Sequence, residues 1–345
     1  VLDINKTREV KKMSISAIKY PSINAKLKGM YSKRLKNDDL QDLAKQNNLK
    51  SAVAILKNKS SSLNVLSEDA DREQIEKVLN GEIIYDIEKI VKYLDKNDTQ
   101  IFNLLISKYE IRCIKRAIKL LYSKNESDEN IKIWTNTIFT DLKGLESIKS
   151  IDEFLKIINN TKYKKILKKY FENKNTEYSI FEIENELDKM YLKSIYNSAG
   201  NNKNLKKMIG AKIDFTNILW IYRMKKYYNF SEDKIEKSII DINYALKKNQ
   251  ILLLVKAKNI EELNEILKKT VYSNISTDDI YELECNMKKY LHGLYIKNFK
   301  SNLLSINCIY SYLNLVELEN KDIISIIEAV RYGIDKEKLL KKLIN

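Results

Sequence analysis

Three acidic residues, Glu110, Asp214 and Glu319, recur at nearly equal spacing along this chain of 345 residues. They lie 104 and 105 positions apart (110 to 214 and 214 to 319), and each is followed four residues later by isoleucine. Carboxylates can act as general acids or bases. A period this long, however, indicates triplicated domains, so the three acids would lie in separate domains. We therefore interpret them as first-turn residues that complement a helix dipole.

Other residue types that carry chemistry are too sparse for a conventional active site. His292 is the only histidine, so a histidine-based metal site or catalytic triad lacks its partners. Cys113, Cys285 and Cys308 form no CxxC pair and are typical of small hydrophobic residues in a reducing compartment. The sequence has no glycine-rich phosphate loop. It predicts no catalytic residue, no metal and no cofactor, since an enzyme would require a deep pocket with convergent titratable groups.

The elements that carry these residues are predicted to be helices. The chain has one proline and seven glycines, whereas sheets need turn glycines. No apolar run approaches the roughly 18 to 20 residues that cross a bilayer. Residues 1–13 are charged and lack the apolar core of a signal peptide. We expect a soluble, cytoplasmic, all-α protein without a transmembrane segment.

A second repeated element supports the triplication. Residues 153–163 align without gaps on residues 262–272, and both segments end in Thr-x-Tyr, at Tyr163 and Tyr272. Each Thr-x-Tyr follows an amphipathic segment and is predicted to close a helix. The order of the Thr-x-Tyr element and the acid-led helix is the same in the second and third regions.

Two polar segments divide the chain. Residues 123–130 contain no apolar side chain, and in residues 228–233 Ser231 can cap a new helix. An earlier cap is predicted at residues 37–40. The sequence thus predicts three similar helical-bundle domains, which span residues 1–125, 126–232 and 233–345.

The formal net charge of +15 raises the question of a nucleic-acid partner. Only seven of the 62 basic residues are arginine, the residue favoured for bidentate phosphate and base contacts, so we predict no nucleic-acid partner. A basic all-helical scaffold that binds nucleic acid remains the alternative, and steep salt-dependent binding would mark it. An acidic protein or an anionic lipid surface is also compatible with the charge.

Four residues are candidates for partner contacts. Trp220 and Tyr222 flank Ile221, a core position, so at least one of the two aromatic rings should point away from its own bundle. Arg223 and Arg331 are rare arginines in a lysine-rich chain. Each either forms a salt bridge or packs its stem on a neighbouring tyrosine, or else it contacts a partner protein, since arginine is enriched at interfaces.

Several segments together resemble the C subunits of the V-type and archaeal-type rotary ATPases, a family that includes the eukaryotic d subunit. Residues 23–35 and 38–40 resemble the N-terminal helix of the family and the step after it. Residues 214–225 resemble its signature around the acid-led helix, and residues 312–324 with 328–333 resemble its C-terminal helix. The resemblance spans nearly the whole chain. Its weight comes from the order and spacing of the motifs.

The resemblance implies a non-catalytic component of the central stalk. Three similar helical domains would form a funnel around a pseudo-threefold axis, at the cytoplasmic face of the membrane rotor ring of proteolipid subunits. The D and F subunits of the central shaft would enter its cavity, and the protein would transmit torque for proton or sodium transport coupled to ATP hydrolysis or synthesis. Cys113 and Asp322 stand where the second motif has Asn217, so those two motifs lack an asparagine for a shared cap.

Overall fold

The computed structural model describes residues 21–59, 61–94, 96–123, 140–171, 179–277, 279–301, 305–336, 339–340 and 343. The start of the chain and nearly all of the segment predicted as the first linker lie outside these residues. Regular structure in the described part is entirely helical, which confirms the predicted all-α class. None of the described helices combines the length and the apolarity that crossing a bilayer requires.

Fourteen α-helices occur among the described residues. They are α1 (Pro21–Tyr31), α2 (Asn37–Ala44), α3 (Leu49–Lys59), α4 (Arg72–Val91), α5 (Lys96–Ser123), α6 (Ile151–Ile158), α7 (Lys164–Phe171), α8 (Ile180–Ser198), α9 (Lys203–Tyr228), α10 (Glu232–Ser238), α11 (Lys248–Lys256), α12 (Ile260–Lys268), α13 (Ile280–Ser301) and α14 (Ile306–Arg331). Short 3₁₀ helices occupy Ser61–Val65, Thr140–Leu142, Leu145–Ser147 and Ser273–Ile275.

The chain forms two compact units. Unit 1 combines the described residues up to position 94 with those from position 279 onwards, and unit 2 contains residues 96–277. Unit 1 is therefore built from both ends of the sequence. The division into three domains at residues 125 and 232 stays a prediction.

Unit 1 is organised around α14. Apolar residues occur around the whole circumference of this helix, as expected for a helix that is covered on all sides. It packs against α13 and also against α2, α3 and α4. Leu43, Leu56 and Leu79 from the N-terminal helices share one buried core with Ile323 and Ile326 of α14. The two ends of the chain are thus held together by ordinary hydrophobic burial.

Unit 2 contains the long helices α5, α8 and α9, and α8 packs against both of the others. Helix α9 begins after Asn202, whose side chain accepts a hydrogen bond from the amide of Leu205 (3.0 Å). It ends at Tyr228 and is followed by Asn229, which adopts a left-handed conformation with φ 47°. Ser231 then accepts from the amide of Lys234 (3.4 Å), which confirms the cap predicted for the next helix.

Candidate functional site

The three repeated acids lie in the middle of long helices. Helices α5, α9 and α14 begin at Lys96, Lys203 and Ile306, more than two turns before Glu110, Asp214 and Glu319. The prediction of first-turn acids that complement a helix dipole is therefore wrong. Apolar residues upstream of the motifs, fully buried Phe102 and Met208 among them, extend each helix towards its N-terminus. The acids must have another role.

Asp214 binds three donors in the interior of unit 2. Its Oδ2 atom accepts hydrogen bonds from the Tyr272 hydroxyl (2.8 Å) and from the amides of Ala245 (2.9 Å) and Leu246 (3.2 Å). Burial raises the pKa of Asp214, whereas the three donors act in the opposite direction. The carboxylate thus ties α9 to the segment before α11 and to the turn after α12. The acid-led helix and the Thr-x-Tyr element, which the sequence shows as separate repeats, are partners.

Residues 239–247 lie against α9 through two further contacts. The Asn217 side chain donates to the carbonyl oxygen of Ile240 (3.0 Å) and accepts from the amide of Ile240 (2.8 Å). Gly210 lies one turn before Asp214, and a Cβ atom at Gly210 would overlap the ring of Tyr244. Asn217 therefore holds the loop at Ile240 against α9 and does not cap a helix. Gly210 is required because the tyrosine ring occupies the space of a side chain.

Glu110 forms the corresponding pair in α5. The Tyr163 hydroxyl donates to Glu110 Oε2 (2.5 Å), and Lys162 Nζ lies 2.6 Å from the same oxygen. Lys162 also donates to the Ser107 hydroxyl (2.7 Å). Burial and the neighbouring carboxylate raise the pKa of Tyr163. The side chain of Glu110 keeps 20% of its surface exposed, so this acid is less deeply enclosed than Asp214.

The two Thr-x-Tyr elements have the same local geometry. The hydroxyls of Thr161 and Thr270 donate to a carbonyl oxygen in the last turn of the preceding helix (2.8 and 2.7 Å). Each hydroxyl also accepts from the amide of its tyrosine, Tyr163 or Tyr272 (3.2 and 3.1 Å). This confirms the prediction that the element closes a helix. It also aims the tyrosine ring at the acid of the long helix.

Glu319 has a charged partner in unit 1. Its Oε1 atom accepts from the amide of Leu35 (3.0 Å), and its Oε2 atom accepts from Arg34 Nε (3.0 Å). Arg34 also donates to Glu82 (2.9 Å) and to the side-chain oxygen of Asn320 (2.7 Å). Burial disfavours the charge of Arg34, but Glu319 and Glu82 raise its pKa above the ordinary value. The N-terminal segment is therefore attached to α14 by a buried, charge-assisted network.

The backbone held by Glu319 corresponds to the backbone held by Asp214. The acids bind the amides of Leu35 and Leu246. Each of these leucines is followed by a lysine that immediately precedes a short helix, Lys36 before α2 and Lys247 before α11. In both places the lysine amide donates to a side chain three residues further on (2.9 Å in each case). The sequence reasoning missed this match, although the Leu-Lys pair is present at both positions.

One short helix in each of the three acid clusters, α3, α12 or α6, has an N-cap of the same kind. Asn48 accepts from the amide three residues later before α3 (2.9 Å), as Asn259 does before α12 (2.8 Å). Ser150 does so before α6 (3.2 Å). Each of the three acid-bearing helices is thus accompanied by a short helix with an equivalent cap. For α14, that helix comes from the other end of the chain.

The predicted contact residues occupy different environments. Trp220 is half-buried on α9, Tyr222 is fully buried, and Arg223 is exposed. Arg331 is exposed at the end of α14, where its guanidinium lies 4.0 Å from Glu328 and 5.7 Å from the centre of the Tyr332 ring. At Arg331, the salt bridge and the tyrosine contact considered as alternatives therefore coexist. A partner contact of these residues stays a prediction, for which the exposed arginines are better placed than Tyr222.

His292 lines a cavity of about 370 Å³ in unit 1, next to Arg34 and Glu319. Burial, together with Lys300, lowers the pKa of this histidine. Because Arg34 and Glu319 bind each other, the cavity does not present a free acid and base. Among the described residues, no group of three or more His, Cys, Asp or Glu side chains could hold a metal ion. Cys308 is buried, which raises the pKa of its thiol to about 12.

The sequence matches the family described as the ATP synthase (C/AC39) subunit over residues 23–342. The chain belongs to this family. Relatives include the C subunit of the A-type ATP synthase of Pyrococcus abyssi, which is 22% identical over 93% of this chain and 88% of the relative. The same protein of Methanobrevibacter smithii is 23% identical over 94% of this chain and 88% of the relative. That of Methanocaldococcus jannaschii is 22% identical over 97% and 89%.

Family membership confirms the resemblance predicted from the sequence motifs. This member of the ATP synthase (C/AC39) family is a non-catalytic subunit of a rotary ATPase, which is a membrane-associated complex. The acid clusters have a structural role in this subunit. They are the elements that fix the long helices of the protein to the shorter helices around them.

Proposed function

We propose that this protein connects the central shaft, formed by the D and F subunits, to the membrane rotor ring and transmits torque between them. It would lie at the cytoplasmic face of the membrane, in a complex that couples ion transport to ATP hydrolysis or synthesis. The observation that carries this proposal is the match to the family over residues 23–342, nearly the whole chain.

The acid clusters support a role in which the protein must not deform. An adaptor that transmits rotation loses part of each step if its helices slide past one another. Buried polar groups with several bonds specify one arrangement of the elements that they join. Asp214 and Arg34 each form three such bonds. Asp214 and Glu319 each hold a backbone segment that contains no regular structure.

The three clusters also support three similar modules, each containing one long acid-bearing helix. Two of these helices, α5 and α9, lie in unit 2, and α14 lies in unit 1. In our proposal the modules surround a common axis as a funnel whose cavity receives the shaft. In our proposal, exposed basic residues, including Arg223 and Arg331, contact the shaft and steer its association.

Binding of purified chain to the D–F shaft and to detergent-solubilised rotor ring tests this function. We expect the chain to bind both and to hydrolyse no ATP alone. The double variant Arg223→Glu/Arg331→Glu should slow association with the shaft and reduce its dependence on salt, because these side chains are exposed. Lys45→Glu/Lys248→Glu, at two other exposed positions, is the control of equal charge change. Absence of binding to both partners would reject the adaptor function, whereas equal effects of the two double variants would reject only the assigned contacts.

A further inference from the structure

A second cavity in unit 1, of about 640 Å³, lies between α1 and α4. Its volume is within the range of small-ligand sites. Its charged lining residues comprise five basic and two acidic side chains, namely Lys26, Lys33, Arg34, Lys59, Lys89, Glu82 and Asp86. We name it the α1–α4 cavity. Its excess of three basic groups favours an anionic occupant.

Several of these charges are already neutralised. Arg34 and Glu82 bind each other (2.9 Å), and Lys59 binds Asp39 (2.6 Å). Lys89 Nζ lies 4.0 Å from Asp86. Asp86 also accepts a hydrogen bond from the hydroxyl of Tyr312, at the floor of the cavity. The excess positive charge is therefore concentrated elsewhere, on α1 and the turn after it.

Lys26 and Lys33 supply this excess. Both side chains are exposed and line the cavity, Lys26 from α1 and Lys33 from the turn that follows it. Within the described part of the chain, the ammonium of Lys33 forms no hydrogen bond or ion pair, and Lys26 has only a weak interaction with Asp86 through space.

Gly29, between the two lysines, also lines the cavity. A glycine inside a helix costs roughly 0.5–1 kcal/mol relative to alanine. Packing does not require it here, because a Cβ atom at Gly29 would meet nothing within 4 Å. The missing side chain instead leaves the cavity wall open between Lys26 and Lys33.

We propose that the α1–α4 cavity binds a phosphate-bearing anion through Lys26 and Lys33. Lysine binds phosphate as a point charge, and one multivalent phosphate group can meet ammonium groups from both sides of a cavity. Lys89, whose ammonium lies 3.6 Å from the centre of the Tyr85 ring, lines the cavity from α4. The source of the phosphate is either a lipid headgroup or a free polyphosphate. This site is independent of the proposed contact with the shaft.

Titration calorimetry of the full chain with sodium tripolyphosphate tests the free source. Flotation with phosphatidylglycerol vesicles, against phosphatidylcholine vesicles, tests the lipid source. We expect Lys26→Glu/Lys33→Glu to weaken binding of the productive probe roughly tenfold or more, equivalent to at least one lost ion pair. Lys28→Glu/Lys92→Glu is the matched control, since it reverses two exposed lysines of α1 and the α4 end that do not line the cavity. It should change binding less than about twofold.

Gly29→Leu provides a test that leaves charge unchanged. The new side chain should occupy the cavity, weaken anion binding and preserve or raise thermal stability, because a better helix former replaces glycine. Binding of vesicles alone assigns a lipid headgroup, and binding of tripolyphosphate alone assigns a free phosphate. Saturable binding of neither probe overturns the site. Equal losses in the two lysine double variants, or full binding by Gly29→Leu, also overturn it.

Discussion

Asp214 in unit 2 and Glu319 in unit 1 hold equivalent backbone amides but are neutralised in different ways. Asp214 is surrounded by neutral donors, two amides and the Tyr272 hydroxyl. Glu319 is bound by the amide of Leu35 and by a buried cation, Arg34. The shared requirement is an acceptor for the backbone that precedes the next short helix. The counter-group differs because the segment that supplies it comes from a different place in the chain.

This difference determines how much stability each unit loses when the partner of its acid is substituted. A neutral donor can be removed while the carboxylate keeps its other bonds, and the carboxylate can also take up a proton. Removal of a buried cation leaves charged groups without compensation, which is far more destabilising. Unit 1 should therefore be more sensitive than unit 2 to substitution of the partner of its acid.

Arg34→Leu should have the largest effect. It leaves Glu319, Glu82 and Asn320 without their shared donor, and we expect a loss of about 3–5 kcal/mol in the stability of unit 1. Segment-resolved hydrogen exchange should show faster exchange in α4 and α14. The control Arg72→Leu removes an exposed arginine with contacts of 3.6 and 4.0 Å and should cost less than about 1 kcal/mol. Equal losses would show that the buried network does not stabilise unit 1.

Gly210→Ala should be next in size. The new Cβ atom would collide with the ring of Tyr244 and displace the segment that Asp214 binds. We expect a loss of about 1–3 kcal/mol in urea unfolding. Gly81→Ala in α4 is the matched helical control, because its Cβ atom would meet nothing within 4 Å. That variant should gain roughly 0.5–1 kcal/mol. The same sign of change in both variants would contradict the close approach.

Tyr272→Phe and Tyr163→Phe compare two acid–tyrosine pairs within unit 2. Loss of the hydroxyl at Tyr272 should cost about 1–3 kcal/mol, because Asp214 is fully buried. Tyr163→Phe should cost less, since Glu110 is partly exposed and keeps its ion pair with Lys162. Chemical denaturation of the two variants measures the difference. A larger loss for Tyr163→Phe would reverse our ranking of the clusters.

Asp214→Asn should change the pH dependence of stability by the smallest amount. Burial raises the pKa of Asp214 above its ordinary value of 3.8, so from about 3.8 up to the raised value the folded protein holds a proton that the unfolded chain has released. The free energy of unfolding therefore falls as pH rises through this window. Asparagine does not titrate, so the variant should lack this part of the slope, at most about 1.4 kcal/mol per pH unit.

Urea unfolding at intervals between pH 4 and 7 measures the slope for both proteins. Asp241→Asn removes an exposed carboxylate and serves as the control for the loss of a negative charge. Parallel curves for the wild type and Asp214→Asn would show that the buried carboxylate has an ordinary pKa.

Local patterns predicted the helical class, the cap at Ser231 and the closing role of Thr-x-Tyr, because each depends on residues a few positions apart. The predicted position of the acids in the first turn was wrong, because apolar residues before each motif extend the helices towards their N-termini. The pairing of acid and tyrosine was missed. Its separations, 53 residues for Glu110 and Tyr163 and 58 for Asp214 and Tyr272, are a signal that could have found it.

The Arg34–Glu319 pair could not be predicted by any local rule. The two residues are 285 positions apart, and the second repeat offers tyrosine where this cluster has arginine. The pair forms because the carboxylate of Glu319 is buried and requires a hydrogen-bond donor. The donor is arginine because that is the residue which the adjoining segment contains. The α1–α4 cavity could not be predicted from the sequence either, because a single glycine in a helix does not indicate whether there is open space beside it.

The core that joins the two ends of the chain also sets an order of events during synthesis. Helices α1 to α4 leave the ribosome about 200 residues before α14, roughly 10 to 40 s earlier at ordinary rates of translation. During that interval Leu43, Leu56 and Leu79 lack the helix that buries them. Unit 2 is contiguous in the chain and can fold meanwhile. We therefore expect the nascent N-terminal helices to depend on chaperone protection until α14 has been synthesised.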